Sequence, residues 1–130
     1  MLTVWNDESL GQSPGFSRAV EPGPGRLLML SGQVSTDGQA NPIHVGDMAG
    51  QARRCLEKIS LLLAAAGGGM EHVALMRFYV TDMRRMSEVT AVRAEFFPGP
   101  VYPAMTGVGV VSLAHPDFLL EVEAVAVVPA

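Results

Sequence analysis

The chain has 130 residues, 48% of them hydrophobic and 17% charged, with a formal net charge of −4. That length predicts one domain spanning residues 1–130 with a sizeable core, and the hydrophobic content excludes a disordered chain. An acidic balance with no Lys/Arg run longer than two excludes the electrostatic footprint of a nucleic-acid binder.

No apolar run approaches the ~18 residues of a membrane span. Cys55 is the only cysteine, so no internal disulfide can form, as suits a reducing compartment. The start, MLTVWNDESL, lacks the basic region and long apolar core of a signal peptide. The expectation is a soluble cytoplasmic protein.

Leu2 to Trp5 reads as a short edge strand and Asn6 to Gly15 as a loop. Phe16 to Val20 is a second strand. The Pro/Gly alternation of Glu21 to Gly25 reads as a tight turn into the apolar strand Leu27 to Leu30, which predicts a hairpin. That strand runs into Ser31-Gly32-Gln33, and Ser35 to Gly46 is a loop with a turn at Asp37-Gly38. Asp47 is placed to cap a helix, because its carboxylate accepts from free N–H groups of the first turn. Ala52, Leu56, Ile59, Leu63 and Ala66 then recur at three- and four-residue spacing, an amphipathic helix of about five turns. Gly67-Gly68-Gly69 ends it. These glycines follow a helix, whereas a phosphate cradle precedes one, so they are a stop and not a nucleotide loop.

Val73 to Val80 is a strand with Ala74, Met76, Phe78 and Val80 on its apolar face. Thr81-Asp82 opens a second helix with Met86, Val89, Arg93 and Phe96 near one stripe, ended by Phe97-Pro98-Gly99-Pro100. Two apolar strands close the chain around the polar break His115-Pro116-Asp117. The order β-β-β-α-β-α-β-β predicts an α+β fold, two helices covering one face of a mixed sheet. No helix remains for the other face, and self-association with closed symmetry is the economical cover.

The last strand carries the chemistry. Glu121 and Glu123 stand two apart and share one face of the pleat, opposite the apolar set Leu120, Val122, Ala124, Ala126 and Val128. Facing them, the preceding strand offers Met105, Gly107 and Gly109, with little bulk and room for a ligand. The three histidines are scattered and no metal spacing appears, so no metal or cofactor is expected.

Several of these pieces occur together in one known family. They are Ser31-Gly32-Gln33, Gly46-Asp47 with Gln51, Ala65-Ala66-Gly67, and Arg77 to Val80 with Thr81-Asp82-Met83. Val89 with Phe96-Phe97, Pro103-Ala104 and Glu121-Val122-Glu123-Ala124-Val125-Ala126 complete the set. Over residues 15 to 128 the chain resembles the RidA/YjgF family, the reactive intermediate deaminases. The resemblance implies a chorismate-mutase-like subunit and a homotrimer with a small-molecule cleft at each subunit interface. It implies hydrolysis of a 2-imino acid to a keto acid and ammonia. An arginine directly after Pro-Ala would grip the substrate carboxylate, and a glutamate on the last strand would position water.

Here Met105 follows Pro103-Ala104. A thioether replaces an always-charged bidentate fork, so the chain resembles an arginine-lacking subgroup. Phe16 stands where an aromatic hydroxyl is common, and Thr90 where asparagine is common in the second helix. Glu121 keeps the glutamate's position and is the candidate catalytic residue. Phe16, Ser31, Thr90, Tyr102, Met105 and Gly107 are the candidate ligand-binding residues. Glu123 reads as a structural partner, with Arg77 its candidate cation, and Cys55 as a buried structural thiol.

The expected function is a trimeric imine or enamine hydrolase whose substrate carries less negative charge near Met105. The alternative is a non-catalytic trimeric module binding a metabolite or protein in the same cleft. An endoribonuclease fits poorly, since the chain lacks a basic groove with stacking aromatics. Arg26 and Arg77 are the arginines considered as replacements for the missing one.

Overall fold

The structure, a computed structural model, describes all 130 residues. Strands β1 (Leu2–Trp5) and β2 (Ala19–Pro22) form a small antiparallel sheet. The main sheet has four strands in the order β3-β6-β4-β5, where β3 is Arg26–Gln33, β4 Val73–Val80, β5 Ala104–Gly109 and β6 Leu120–Val128. Only β4 and β5 run parallel. Helices α1 (Met48–Ala65) and α2 (Met86–Phe96) pack together on one face of this sheet.

Helix α1 follows from its sequence at both ends. The Asp47 carboxylate accepts from Gly50 N at 2.9 Å, closing the first turn. At the other end Gly67 adopts φ +84°, and Gly67 N and Gly68 N donate to Ala64 O and Leu63 O. That pair of bonds satisfies carbonyls the helix leaves free. Between them Ala52, Leu56, Ile59 and Leu63 are fully buried. They meet Met76, Phe78 and Val80 of β4, Val89 and Val92 of α2, and the alternate residues Leu120, Val122, Ala124 and Ala126 of β6. Gln51, fully buried, donates to His44 O and Asp117 O and accepts from Leu119 N, so it ties the α1 start to the entry of β6.

Three expectations need correction. The hairpin between the second and third strands does not form; β2 pairs with β1 instead. Pro22 ends the ladder with β1 opposite Leu2, Pro24 has no N–H to donate into a hairpin, and β3 pairs with β6 instead. The second strand also starts later than expected, at Ala19, with Phe16 in the loop before it. Finally, β5 and β6 are not neighbours, because β4 lies between them. The second helix itself is entered by a short turn, Met83–Arg85, capped by Asp82, whose carboxylate accepts from Arg84 N.

Candidate functional site

The sheet has one covered and one bare face, and the register assigns each candidate to one of them. On β6, burial alternates strictly: Leu120, Val122, Ala124, Ala126 and Val128 are buried, and the residues between them are half-buried. Glu121 and Glu123 therefore share the bare face, as their spacing predicts. Tyr79 and Arg77 of β4 lie opposite them in register.

The two carboxylates differ in their company. Glu123 accepts a hydrogen bond from the Tyr79 hydroxyl and pairs with Arg77 Nη1 at 3.4 Å. The hydrogen bond to Glu123 pushes the Tyr79 phenol above its ordinary range. Glu123 is thus the paired carboxylate, with Arg77 as its cation. Glu121 accepts from no donor in the chain; its neighbour is backbone. Between Leu30 and Gln33 the β3–β6 register slips by one residue, a bulge at Ser31-Gly32. A Cβ on Gly32 would stand 1.9 Å from Glu121 Oε2, so the carboxylate lies where only glycine leaves space. Ser31 is exposed beside it. A shallow depression of about 260 Å³ includes Ser31, Met29, Leu30, Gln33 and Leu62.

The remaining candidates lie elsewhere. Met105 is in register with Met76, and Gly107 with Phe78, both of which are buried under the helices. Met105 and Gly107 consequently occupy the helix-covered face, and a Cβ on Gly107 would meet Met86 Cε at 3.0 Å. Met105 and Gly107 do not face Glu121 within one subunit, contrary to the sequence reading. The open space attributed to Gly107 is occupied by the start of α2.

Tyr102 and Thr90 do come together. Ser17 N donates to Pro103 O, and buried Ser17 Oγ donates to Tyr102 O at 2.6 Å, which fastens the N-terminal loop to the segment before β5. A cavity of about 130 Å³ forms there between Gly15, Tyr102 and the α2 residues Thr90 and Arg93. Phe16 is half-buried in the same loop but does not line the cavity. Arg93 was legible only as a member of the α2 stripe. Its guanidinium pairs with no carboxylate and donates to no residue in the chain, and burial pulls its pKa below the ordinary arginine range.

Other features carry less. The largest cavity, about 370 Å³, is bounded by Met1, Leu2, Glu71, His72 and Val101 and contains none of the candidates. Cys55 is fully buried, and desolvation pushes its thiol up to about 12, so it is an inert core residue. No three His, Cys, Asp or Glu residues are grouped to hold a metal, and no helix is long and apolar enough to cross a membrane. Arg26 donates to Pro129 O and Ala66 O, and Arg77 pairs through Nη1 with Glu123.

A four-stranded mixed sheet with two helices on one face and a half-polar bare face defines a chorismate-mutase-like α+β subunit. The sequence profile described as Endoribonuclease L-PSP matches residues 8–128. A RutC family protein of Pyrococcus horikoshii is 35% identical over 111 residues, covering 85% of each chain. A crystal structure of a conserved Rid family protein from Yersinia pestis superposes with a TM-score of 0.90 at 30% identity, covering 98% of both chains. RidA from a Psychrobacter species aligns with a TM-score of 0.73 at 25% identity over 90% of this chain and 92% of that one. The chain belongs to the RidA/YjgF family.

Proposed function

We propose that the protein is a homotrimeric hydrolase of small imines or enamines, with Glu121 ordering the attacking water. The observation that carries this reading is the state of Glu121: a half-buried carboxylate, seated on Gly32, with no internal donor. Its lone pairs are free to accept from a water. Water adds across the C=N bond, oxygen to carbon and a proton to nitrogen. The carbinolamine then collapses to a carbonyl compound and ammonia. A carboxylate that holds the water and takes its proton lowers the barrier of the first step.

Within one subunit the candidates form two half-sites. Ser31 and Glu121 lie on the bare sheet face, and Thr90, Tyr102 and Met105 lie at the α2–β5 end. A second subunit laid on the bare face can join one half to the other. That face exposes Leu27 and Met29 at 68% and 69%, apolar area suited to burial between copies. β5 is an edge strand of the sheet, and its N–H groups near residues 105 to 107 would stabilise charge developing on the substrate.

Met105 cannot bind a carboxylate as a guanidinium does. The substrate is therefore either uncharged at that end or anchored by another group. A nuclease reading finds no support in the charge: the chain is acidic. The test is ammonia release from freshly generated 2-imino acids and from neutral imines, with wild type beside Met105→Arg. Activity of wild type on one of these classes is expected, with a gain on 2-imino acids in the variant. Inertness of both proteins on both classes would favour the non-catalytic binding module.

A further inference from the structure

The cavity between the N-terminal loop and α2 holds an unused positive charge. Six of the nine cations pair with carboxylates or cap carbonyls nearby: Arg26, Arg53, Arg54, Arg77, Arg84 and Arg85. Lys58 donates to Val34 O and Thr36 Oγ1, and Arg18 to Leu10 O. Arg93 alone has no partner, although its side chain is half-buried and partly desolvated. A guanidinium carries five donors, and those of Arg93 are taken by no group of the chain and are open to an acceptor in the cavity.

The surroundings suit an anion. Thr90 precedes Arg93 by three residues on α2, so both side chains lie on one helix face. Tyr102 closes the other side, and neither the Tyr102 nor the Thr90 hydroxyl donates to a protein group. Gly15 forms the rim at φ +70°, and a Cβ there would stand 3.1 Å from Arg93 Nη2. Glycine thus permits the turn and keeps the guanidinium open. The lining contains no carboxylate. The volume, about 130 Å³, has room for a three- or four-carbon acid.

We infer that Arg93, with the Thr90 and Tyr102 hydroxyls, binds the carboxylate of a small 2-oxo or 2-imino acid in this cavity. Arg93 thereby supplies, from α2, the charge that Met105 does not supply from β5. The inference rests on the proposed hydrolase for the identity of the acid, and on the cavity alone for the binding of the anion. The carboxylate is preferred over phosphate because the guanidinium fork and two hydroxyls offer a planar group its full set of donors, with no second cation for a dianion.

The experiment titrates wild type, Arg93→Met and Ala94→Glu with pyruvate, with pyruvamide as its neutral counterpart, and with inorganic phosphate. Heat release and amide chemical shifts of Thr90 and Arg93 are read. Met keeps the apolar stem of Arg93, and Ala94 is an exposed rim residue whose replacement leaves the core untouched. Pyruvate is expected to bind wild type, pyruvamide and phosphate at least tenfold more weakly, and both variants to weaken pyruvate at least tenfold. Equal binding of pyruvate and pyruvamide, tighter binding of phosphate, unchanged affinity in both variants, or no binding of pyruvate to wild type would each overturn the inference. Pyruvate binding without imine turnover would keep the anchor and remove the hydrolase. Turnover with no effect of the Arg93 and Ala94 variants on pyruvate would do the reverse.

Discussion

The two faces of the main sheet are built from the same strands and could hardly differ more. Under the helices, every inward residue of β6 is buried and apolar, and the core closes without an unpartnered buried side-chain atom. On the bare face the same strand presents Glu121, Glu123, Val125 and Val127, beside exposed Leu27 and Met29 of β3. The covered face is complete within one chain, whereas the bare face mixes chemistry with apolar area that one chain leaves in water. The core therefore resides on one side of the sheet and the proposed water-ordering carboxylate on the other, and substitutions should separate the two.

The largest separation is expected from paired truncations. Phe78 is 1% exposed and Met29 69% exposed. Phe78→Ala should cost the subunit about 3–5 kcal/mol, and Met29→Ala under about 0.5 kcal/mol, measured by urea unfolding at subunit concentrations too low for assembly. Comparable losses would erase the distinction between the faces. Next in size is Gln51→Met, which leaves the part-buried Leu119 N–H and Asp117 C=O without their partner. It should cost about 1–3 kcal/mol and speed hydrogen exchange at residues 117–119.

The covered face also carries a pH signature. The Cys55 thiol is raised from about 9 to about 12 by burial, so the folded chain keeps a proton that the unfolded chain sheds. Stability is then fully present below pH 9 and falls as pH rises from 9 toward 12, by at most about 1.4 kcal/mol per unit. Urea melts at pH 8, 9.5 and 10.5 should show this slope, and Cys55→Ala should flatten it whatever its offset. The native thiol should also resist a disulfide reagent at pH 8 and react once the chain unfolds. A small structural effect is also expected from Gly32→Ala. The added Cβ displaces only the flexible Glu121 carboxylate, so stability should change by less than about 1 kcal/mol. Turnover should nevertheless drop at least tenfold, because the water would lose its acceptor.

Much of this contrast was legible in the sequence, and the part that was not follows a pattern. Periodicity revealed α1, β4 and β6, because each buries one face and its spacing records that face directly. The caps Asp47 and Gly67 were readable for the same local reason. What one strand's spacing cannot record is its neighbour. Met105 and Glu121 seemed to face each other until the register of β4 with β5 put Met105 beside Met76, under the helices. Residues 16 to 30 looked like a hairpin because the turn signal is local, while the pairing of β3 with β6 joins residues about a hundred positions apart. Arg93 was hidden differently. On α2 it fits the buried stripe, and only the loop at Gly15, fastened by Ser17 to residues 102 and 103, turns that position into a cavity wall. Glu121 was legible as a candidate from the pleat, but its seat on Gly32 required the bulge.

The measurement that tests the central claim most directly compares the two glutamates of β6. Wild type, Glu121→Gln and Glu123→Gln would be assayed side by side for ammonia release from freshly generated imines, with unfolding midpoints taken on the same samples. The account predicts that Glu121→Gln loses about a hundredfold or more in turnover and keeps its midpoint. It predicts that Glu123→Gln keeps most of its turnover and lowers its midpoint, since it loses the charge that pairs with Arg77 and weakens the bond accepted from Tyr79. Unchanged turnover in Glu121→Gln, or a greater loss in Glu123→Gln, would contradict it.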